Sequence, residues 1–338
     1  MHPNPHEAAH RRSPVPVRTW LQPALIGLVI VSAFISCYIG VQRDPQPHRL
    51  PISVSGHLLS DELQQALGDS VDVRPAASTA DARLALERHD VVAALSATDH
   101  GEKLRLEVAG ANGLSTTNAV KNLVSAYGHG AGKDVAVRDV VPLDQYDARG
   151  LAGFYVSFGV SLAGFVLAQN ALGLGQLLHL RHRLSLIAGF SAVSGLLAAF
   201  IAGPVLGAVP APFLPLAFTL ALLSGAAAFT TKLLGTYLGP LGVPVATLLL
   251  LTIGNSTSGA TIGTDLLPGV GRALSTALPP GAAVRAVTDL TYFDGAHALT
   301  PLATLALWAG GAALLVVLRP RLSSAVRRLP LRRTAAAV

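Results

Sequence analysis

The sequence predicts an α-helical polytopic membrane protein of six spans carrying an inserted small α+β extracytoplasmic domain. Three observations predict it. Of 19 Asp and Glu residues, 15 fall between Gln42 and Arg149, and from Gly150 onward only Asp265, Asp289 and Asp294 occur. The chain of 338 residues is 51% hydrophobic and only 13% charged, against about 25% charged in a soluble domain. Basic residues gather at the ends of the apolar runs, as membrane orientation requires. The net charge of +6 therefore reads as topology. No basic-aromatic patch accompanies it, so no nucleic-acid partner is expected.

Each element follows from length and charge. Residues 1–18 are rich in His, Pro and Arg and read as a disordered cytoplasmic segment. Thr19 to Val41 is the first span, with Trp20 at its interface. Its apolar core is longer than a signal peptide's and lacks a small-residue cleavage site, so it reads as an uncleaved anchor. Cys37, the one cysteine, lies within it and permits no intramolecular disulfide.

Gln42 to Arg149 holds 11 basic and 15 acidic residues and reads as a small α+β domain. Strands are expected at Pro51–Val54, Val71–Val73, Val91–Leu95, Leu104–Val108 and Val135–Val141. The third and fourth flank a turn at Asp99-His100-Gly101. Helices are expected from Ser60, read as an N-cap, and over Thr79–Arg88 and Ser115–Tyr127.

The remaining spans are Leu151–Leu174, Leu184–Leu206, Phe213–Leu234, Leu241–Thr257 and Leu299–Leu318. Arg319–Val338 is a basic cytoplasmic tail. With six spans, Arg11, Arg12, Arg18, Arg181, Arg183, Lys232 and the tail arginines share one side. Both termini are then cytoplasmic, in a multi-pass protein of the cell membrane. Lys232, near a span end, is expected to snorkel to the interface.

Motifs for chemistry are few. Gly128-His129-Gly130-Ala131-Gly132-Lys133-Asp134 departs from a phosphate loop, with Tyr127 at the first glycine position and Asp134 at the magnesium-binding hydroxyl. His179 and His182 share a helical spacing but lack an acid or cysteine, so no metal site is read there. Neither Gly-x-Ser-x-Gly nor His-Glu-x-x-His occurs. No enzyme activity and no cofactor are expected. Asn255-Ser256-Thr257 reads as a polar helix end rather than a glycosylation site. Gly203/Gly207, Gly235/Gly239 and Gly259/Gly263 have the small-xxx-small spacing that allows close helix contact, within the chain or between copies.

Ser258 to Ala298 combines short apolar helical stretches with Leu267-Pro268, Leu278-Pro279 and the charges Asp265, Arg272, Arg285 and Asp289. It reads as an external re-entrant or amphipathic segment. Arg285 and Asp289, at i,i+4, are spaced to pair. These four charges are the candidate functional residues, since charge near membrane depth is costly.

Here the sequence resembles the membrane subunits of ABC-2-type transporters, in the branch of phage-infection proteins and uncharacterised membrane proteins of the same layout. Ser258-Gly259, Leu267-Pro268, Leu278-Pro279 and Arg285 match the end of that pattern. Ala82–Ala94, Val137–Leu143 and Asp147-Ala148-Arg149-Gly150 resemble its outer domain and its entry into the second span. The outer domain is shorter than in many relatives. The resemblance implies a permease-like subunit that exports a hydrophobic or amphipathic cargo. It implies a homodimer and a separate cytosolic ATP-binding subunit. Arg181, His182 and Arg183, with Leu234–Pro240, are the expected ATPase-contact loops. The alternative is a non-transporting envelope scaffold or receptor acting through its external domain.

Overall fold

The structure is a computed structural model describing residues 18–98, 102–173 and 177–328. The expected N-terminal segment, the Asp99–Gly101 turn and the last ten residues of the tail lie outside the described residues. The fold is mostly helical with one small sheet. Five helical runs are long and apolar enough to cross a membrane: Leu21–Gln42, Ala152–Gly173, Leu180–Val205, Phe213–Gly254 and Leu299–Arg319. This is the make-up of a polytopic membrane protein.

Helix α1 spans Arg18–Gln42. After it come β1 (Leu50–Ser55), α2 (His57–Leu67), β2 (Val71–Ala76), α3 (Thr79–Glu87), β3 (Ala93–Thr98) and β4 (Lys103–Val108). Helix α4 (Leu114–Gly130) and β5 (Asp134–Asp139) complete the polar region. The strands form one sheet in the order β2-β1-β3-β4-β5, parallel except between β3 and β4. Alternation divides its faces. Leu50, Ile52, Val54, Leu95, Leu104 and Leu106 pack under α2 and α4. Ala94, Ala109 and Ala111 face Ala82 and Leu86 of α3. The helix expected to open at Ser60 starts three residues earlier. Gly56 is its N-cap residue, and the buried Ser60 hydroxyl donates back to the Gly56 carbonyl at 2.9 Å. A serine can satisfy its hydroxyl inside a first turn as well as cap one, and the local pattern does not separate the two.

Helix α5 runs Ala152–Gly173. Asp147 Oδ1 accepts from the backbone N–H of Leu151 (2.9 Å) and Ala152 (3.0 Å), satisfying donors that a helix start leaves free. Helix α6 runs Leu180–Phe200 and widens into a π turn, Ile201–Val205, around Pro204. Helix α7 (Phe213–Leu238) is the axis of the bundle, packed by α5, α6 and α11. Glycine permits two of these contacts. A Cβ on Gly164 of α5 or Gly195 of α6 would lie 2.5 Å from Ser224 O or Ala217 O of α7. Backbone approach of this kind is how helices gain packing without a hydrophobic drive.

In each glycine pair expected from spacing one member serves a turn instead, although Gly235 closely meets Leu172 of α5. Gly207, Gly239 and Gly259 all have positive φ and serve turns. A spacing rule cannot distinguish a helix face from a chain reversal, because glycine favours both.

The run Phe213–Gly254 would measure about 63 Å if straight, about twice a hydrocarbon core. It is not straight. Gly239 ends α7 at φ 59. Helix α8 (Gly242–Ala246) then starts against Leu234 and Gly235, and a π stretch, Thr247–Gly254, follows it. Leu216 and Leu220, near the start of α7, cluster with Ala282 and Ala283, while Gly254 abuts Pro280. Both ends of the run therefore meet the same short helix, so the chain has doubled back. Asn255 Nδ2 donates to the Leu250 and Leu251 carbonyls at 3.3 and 3.2 Å, occupying acceptors at the π end. Asn255, Ser256 and Thr257 are buried, as a polar helix end should be.

Helices α9 (Gly269–Ala277) and α10 (Pro279–Tyr292) follow, then α11 (Leu299–Arg328). Pro279 and Pro280 open α10, where a missing N–H costs nothing. α10 is enclosed by α7, α11 and α5. α1 is the opposite case: none of its apolar window is buried, against 61% for the α7 run. It touches the bundle along the Thr247–Gly254 stretch and through Gln42 Nε2, which donates to Ser256 O at 3.0 Å.

Candidate functional site

The chain between residues 255 and 298 joins the sheet to the helices. Leu266 enters the core on one face of the sheet, and Phe293 enters the core on the other. The Gly263 N–H donates to Ser115 Oγ at 3.0 Å. A Cβ on Gly263 would collide with the Thr116 hydroxyl, so only glycine fits this crossing. Inserting two apolar side chains into a sheet's opposite faces makes the joint rigid, because interiors are packed solid.

Between these elements lies a cavity of about 300 Å³. The sheet-bearing region contributes His89, Asn112 and Thr116. The bundle contributes Phe154, Ala208 and Val209, and the joining segment contributes Asp265, Arg285 and Thr288. The lining combines ionisable side chains with apolar ones. Asn112 Oδ1 is buried there without a hydrogen-bond partner, and a buried acceptor left open favours a ligand or water.

Of the four charges singled out from sequence, Asp265 and Arg285 line this cavity, and Arg272 and Asp289 do not. Asp265 faces it. Burial raises its carboxyl pKa above the usual aspartate value, against the opposing pull of Arg272, His89 and Arg74. Arg285 also lines the cavity, but it does not pair with Asp289 as the spacing allowed. Its Nη1 donates to Ser275 O (2.9 Å) and Ser275 Oγ (3.2 Å), and its Nη2 donates to Thr276 O (3.3 Å). It thus closes the C-terminal turn of α9, where carbonyls without intrahelical partners attract a cation. Burial lowers its pKa while Asp289 raises it, yet a guanidinium stays protonated. Arg272 donates to His48 O at 3.1 Å and ties α9 to the approach to β1.

Asp289 is only 2% exposed, and its partner is His89, with Nδ1 2.6 Å from Oδ1. The imidazole also stacks on Phe293, with ring centroids 4.0 Å apart. His89 follows the end of α3 at φ 61, in the left-handed region that a non-glycine residue occupies at a cost. That conformation aims the ring across the joint. Sequence reading missed His89. The signal was a histidine where a helix should end in glycine, but its partner stands 200 residues away.

The other candidate residues lie at the far end of the bundle. Arg181, His182 and Arg183 form the first turn of α6 rather than a loop. Cations at a helix start oppose its dipole, so sequence logic placed the start later; anchoring of an apolar helix outweighs that small cost. His179 and His182 have ring centroids 5.7 Å apart, and no group of three metal-ligating side chains occurs among the described residues. Lys232 does not reach out to the surface. It is 3% exposed and faces a second cavity of about 290 Å³ with Arg183 and Arg319. Comparison with protein-family models, with curated proteins and with solved structures finds no match.

Proposed function

We propose that this chain is a six-pass permease-like subunit that admits an amphipathic cargo at the cavity between its external domain and its membrane helices. The observation that carries the reading is the joint lining of that cavity. Asp265, Arg285 and His89 bring ionisable groups to the lining, and Phe154 and Val209 bring apolar ones, which suits a molecule with a polar head and an apolar body.

Six passes are supported by the reversal at Gly239, which divides Phe213–Gly254 into two antiparallel arms. An even count places both ends of the chain on one side and the sheet on the other. Arg183, Lys232 and Arg319 mark the end of the bundle away from the sheet, so the positive-inside tendency makes that end cytoplasmic. The export direction, the homodimer and a separate cytosolic ATP-binding subunit rest on the resemblance to ABC-2-type membrane subunits. An ATPase would meet the surface at the start of α6 and the turn Gly239–Leu241.

The test is affinity purification of the whole chain from native membranes, with mass spectrometry of the proteins and small amphiphiles retained. The reading expects a soluble ATP-binding protein and a retained amphiphile. Ala208→Phe, which fills the cavity from its half-buried rim, should release the amphiphile and leave the ATPase bound. If no ATP-binding protein is recovered and the amphiphile survives Ala208→Phe, export is overturned, and the receptor or scaffold reading takes its place.

A further inference from the structure

The second cavity lies where the end of α5, the start of α6, the end of α7 and the last turns of the apolar part of α11 converge. Leu172, Leu180, Arg183, Lys232, Val316 and Arg319 line it. Among the described residues Lys232 has no hydrogen-bond or ion-pair partner, although it is 3% exposed. Arg183 Nε is buried without an acceptor. Arg319 is held over the Tyr237 ring, 5.7 Å from its centroid, and the Tyr237 hydroxyl donates to Leu315 O at 3.1 Å.

Among the described residues, no acid answers these three cations. None occurs between Gly150 and Thr264 or after Asp294. Every described acid lies at or beyond the opposite end of the bundle. Bringing like charges together around a half-enclosed space is costly, and leaving a buried ammonium unpaired costs more. Such an arrangement persists when an anion completes it.

We propose that this cavity binds the phosphate headgroup of an anionic phospholipid. Three cations beside the aliphatic side chains of Leu172, Leu180 and Val316 match a phosphate carried on an acyl chain. Free phosphate has the same charge chemistry but no use for the apolar wall. Lys232 sits six residues, about 9 Å, inside the end of α7, at a depth that a headgroup reaches from the interface. Basic pockets between spans on the cytoplasmic side are suited to such lipids. The proposal stands on the membrane-spanning helices and is independent of export.

The test uses the full chain purified in neutral detergent. Dioleoyl-phosphatidylglycerol, dioleoyl-phosphatidylcholine and inorganic phosphate are titrated separately, with native mass spectrometry and melting temperature as readouts. Phosphatidylglycerol should be retained and raise the melting temperature, while phosphatidylcholine does neither. Lys232→Met should weaken phosphatidylglycerol about ten-fold, the scale of one charge-assisted contact, without lowering lipid-free stability. A residue with a merely structural role would lower that stability. Arg319→Gln, on an exposed side chain, should weaken binding in the same direction and serves as the test if the lysine variant does not fold. Equal retention of the two lipids, or unchanged phosphatidylglycerol binding in both variants, overturns the proposal. Displacement of phosphatidylglycerol by inorganic phosphate alone overturns the lipid as the source of the anion.

Discussion

The two ends of the helix bundle hold cavities of nearly equal volume, about 300 and about 290 Å³, with opposite electrostatics. At the sheet-bearing end the four charges singled out from sequence each have a neighbour. Asp289 meets His89, Arg285 meets the last carbonyls of α9, and Arg272 both bonds His48 O and faces Asp265. At the other end Lys232, Arg183 and Arg319 face one another with no acid among the described residues. The first set of contacts joins two parts of one chain. The second is incomplete among the described residues. A charge that is satisfied internally stabilises the fold, whereas one left open is a reason to look for a ligand. The same substitution of charge by an apolar group should therefore destabilise the first end and not the second.

The largest effect expected is on the joint. Leu266→Ala removes the side chain that locks the segment into the sheet core, and should cost about 2–5 kcal/mol. Thermal unfolding in detergent with limited proteolysis of the sheet-bearing region would measure it. An unchanged melting temperature would mean that the joint is not held by this insertion.

Next comes the charge comparison itself. Asp289→Ala should cost about 3 kcal/mol, the scale for breaking a buried pair, while Lys232→Met should cost nothing in the absence of anionic lipid. The comparison breaks if both substitutions shift stability in the same direction.

Asp265→Asn sharpens it through pH. The folded pKa of Asp265 lies above the usual aspartate value because of burial. The folded state therefore holds its proton longer than the unfolded state, and stability falls as pH rises from about 3.9 through the folded pKa. The asparagine variant should be more stable than the parent at neutral pH. That advantage should vanish below the ordinary aspartate value, where both states carry the proton. Melting curves across pH would read it, and a neutral-pH loss of stability would show that Asp265 is structural.

The smallest effects concern one hydrogen bond at each end. Trp308 Nε1 donates to Ala277 O at 2.8 Å, and the Tyr237 hydroxyl donates to Leu315 O at 3.1 Å. Trp308→Phe and Tyr237→Phe should each cost about 0.5–1.5 kcal/mol. Tyr237→Phe should also loosen Arg319 and so weaken phosphatidylglycerol retention, which Trp308→Phe should leave unchanged.

Much of this architecture is legible in the amino-acid order. The apolar runs, the segregation of acids and the alternation along β1 and β4 follow from rules acting over a few residues. Two of the four charges chosen for their cost near membrane depth, Asp265 and Arg285, line the joint cavity. The misreadings share one cause. Arg285 and Asp289 satisfy a local spacing, yet each took a better partner elsewhere. Gly207, Gly239 and Gly259 satisfy a spacing too, yet each turns the chain. A local rule states what a residue can do next to its neighbours, and a folded chain offers it other neighbours.

The sequence by itself determined that this chain has apolar helices of spanning length, a polar α+β region between the first and second of them, and basic residues gathered at helix ends. Hydropathy, charge and periodicity are properties of short segments, and the solvent acts on each segment separately. Only the tertiary structure decided that His89 would meet Asp289 and that Leu266 and Phe293 would enter opposite faces of one sheet. It alone decided that Lys232 would be enclosed beside Arg183 and Arg319. These are contacts between distant segments, and close packing selects which of the locally permitted partners come together.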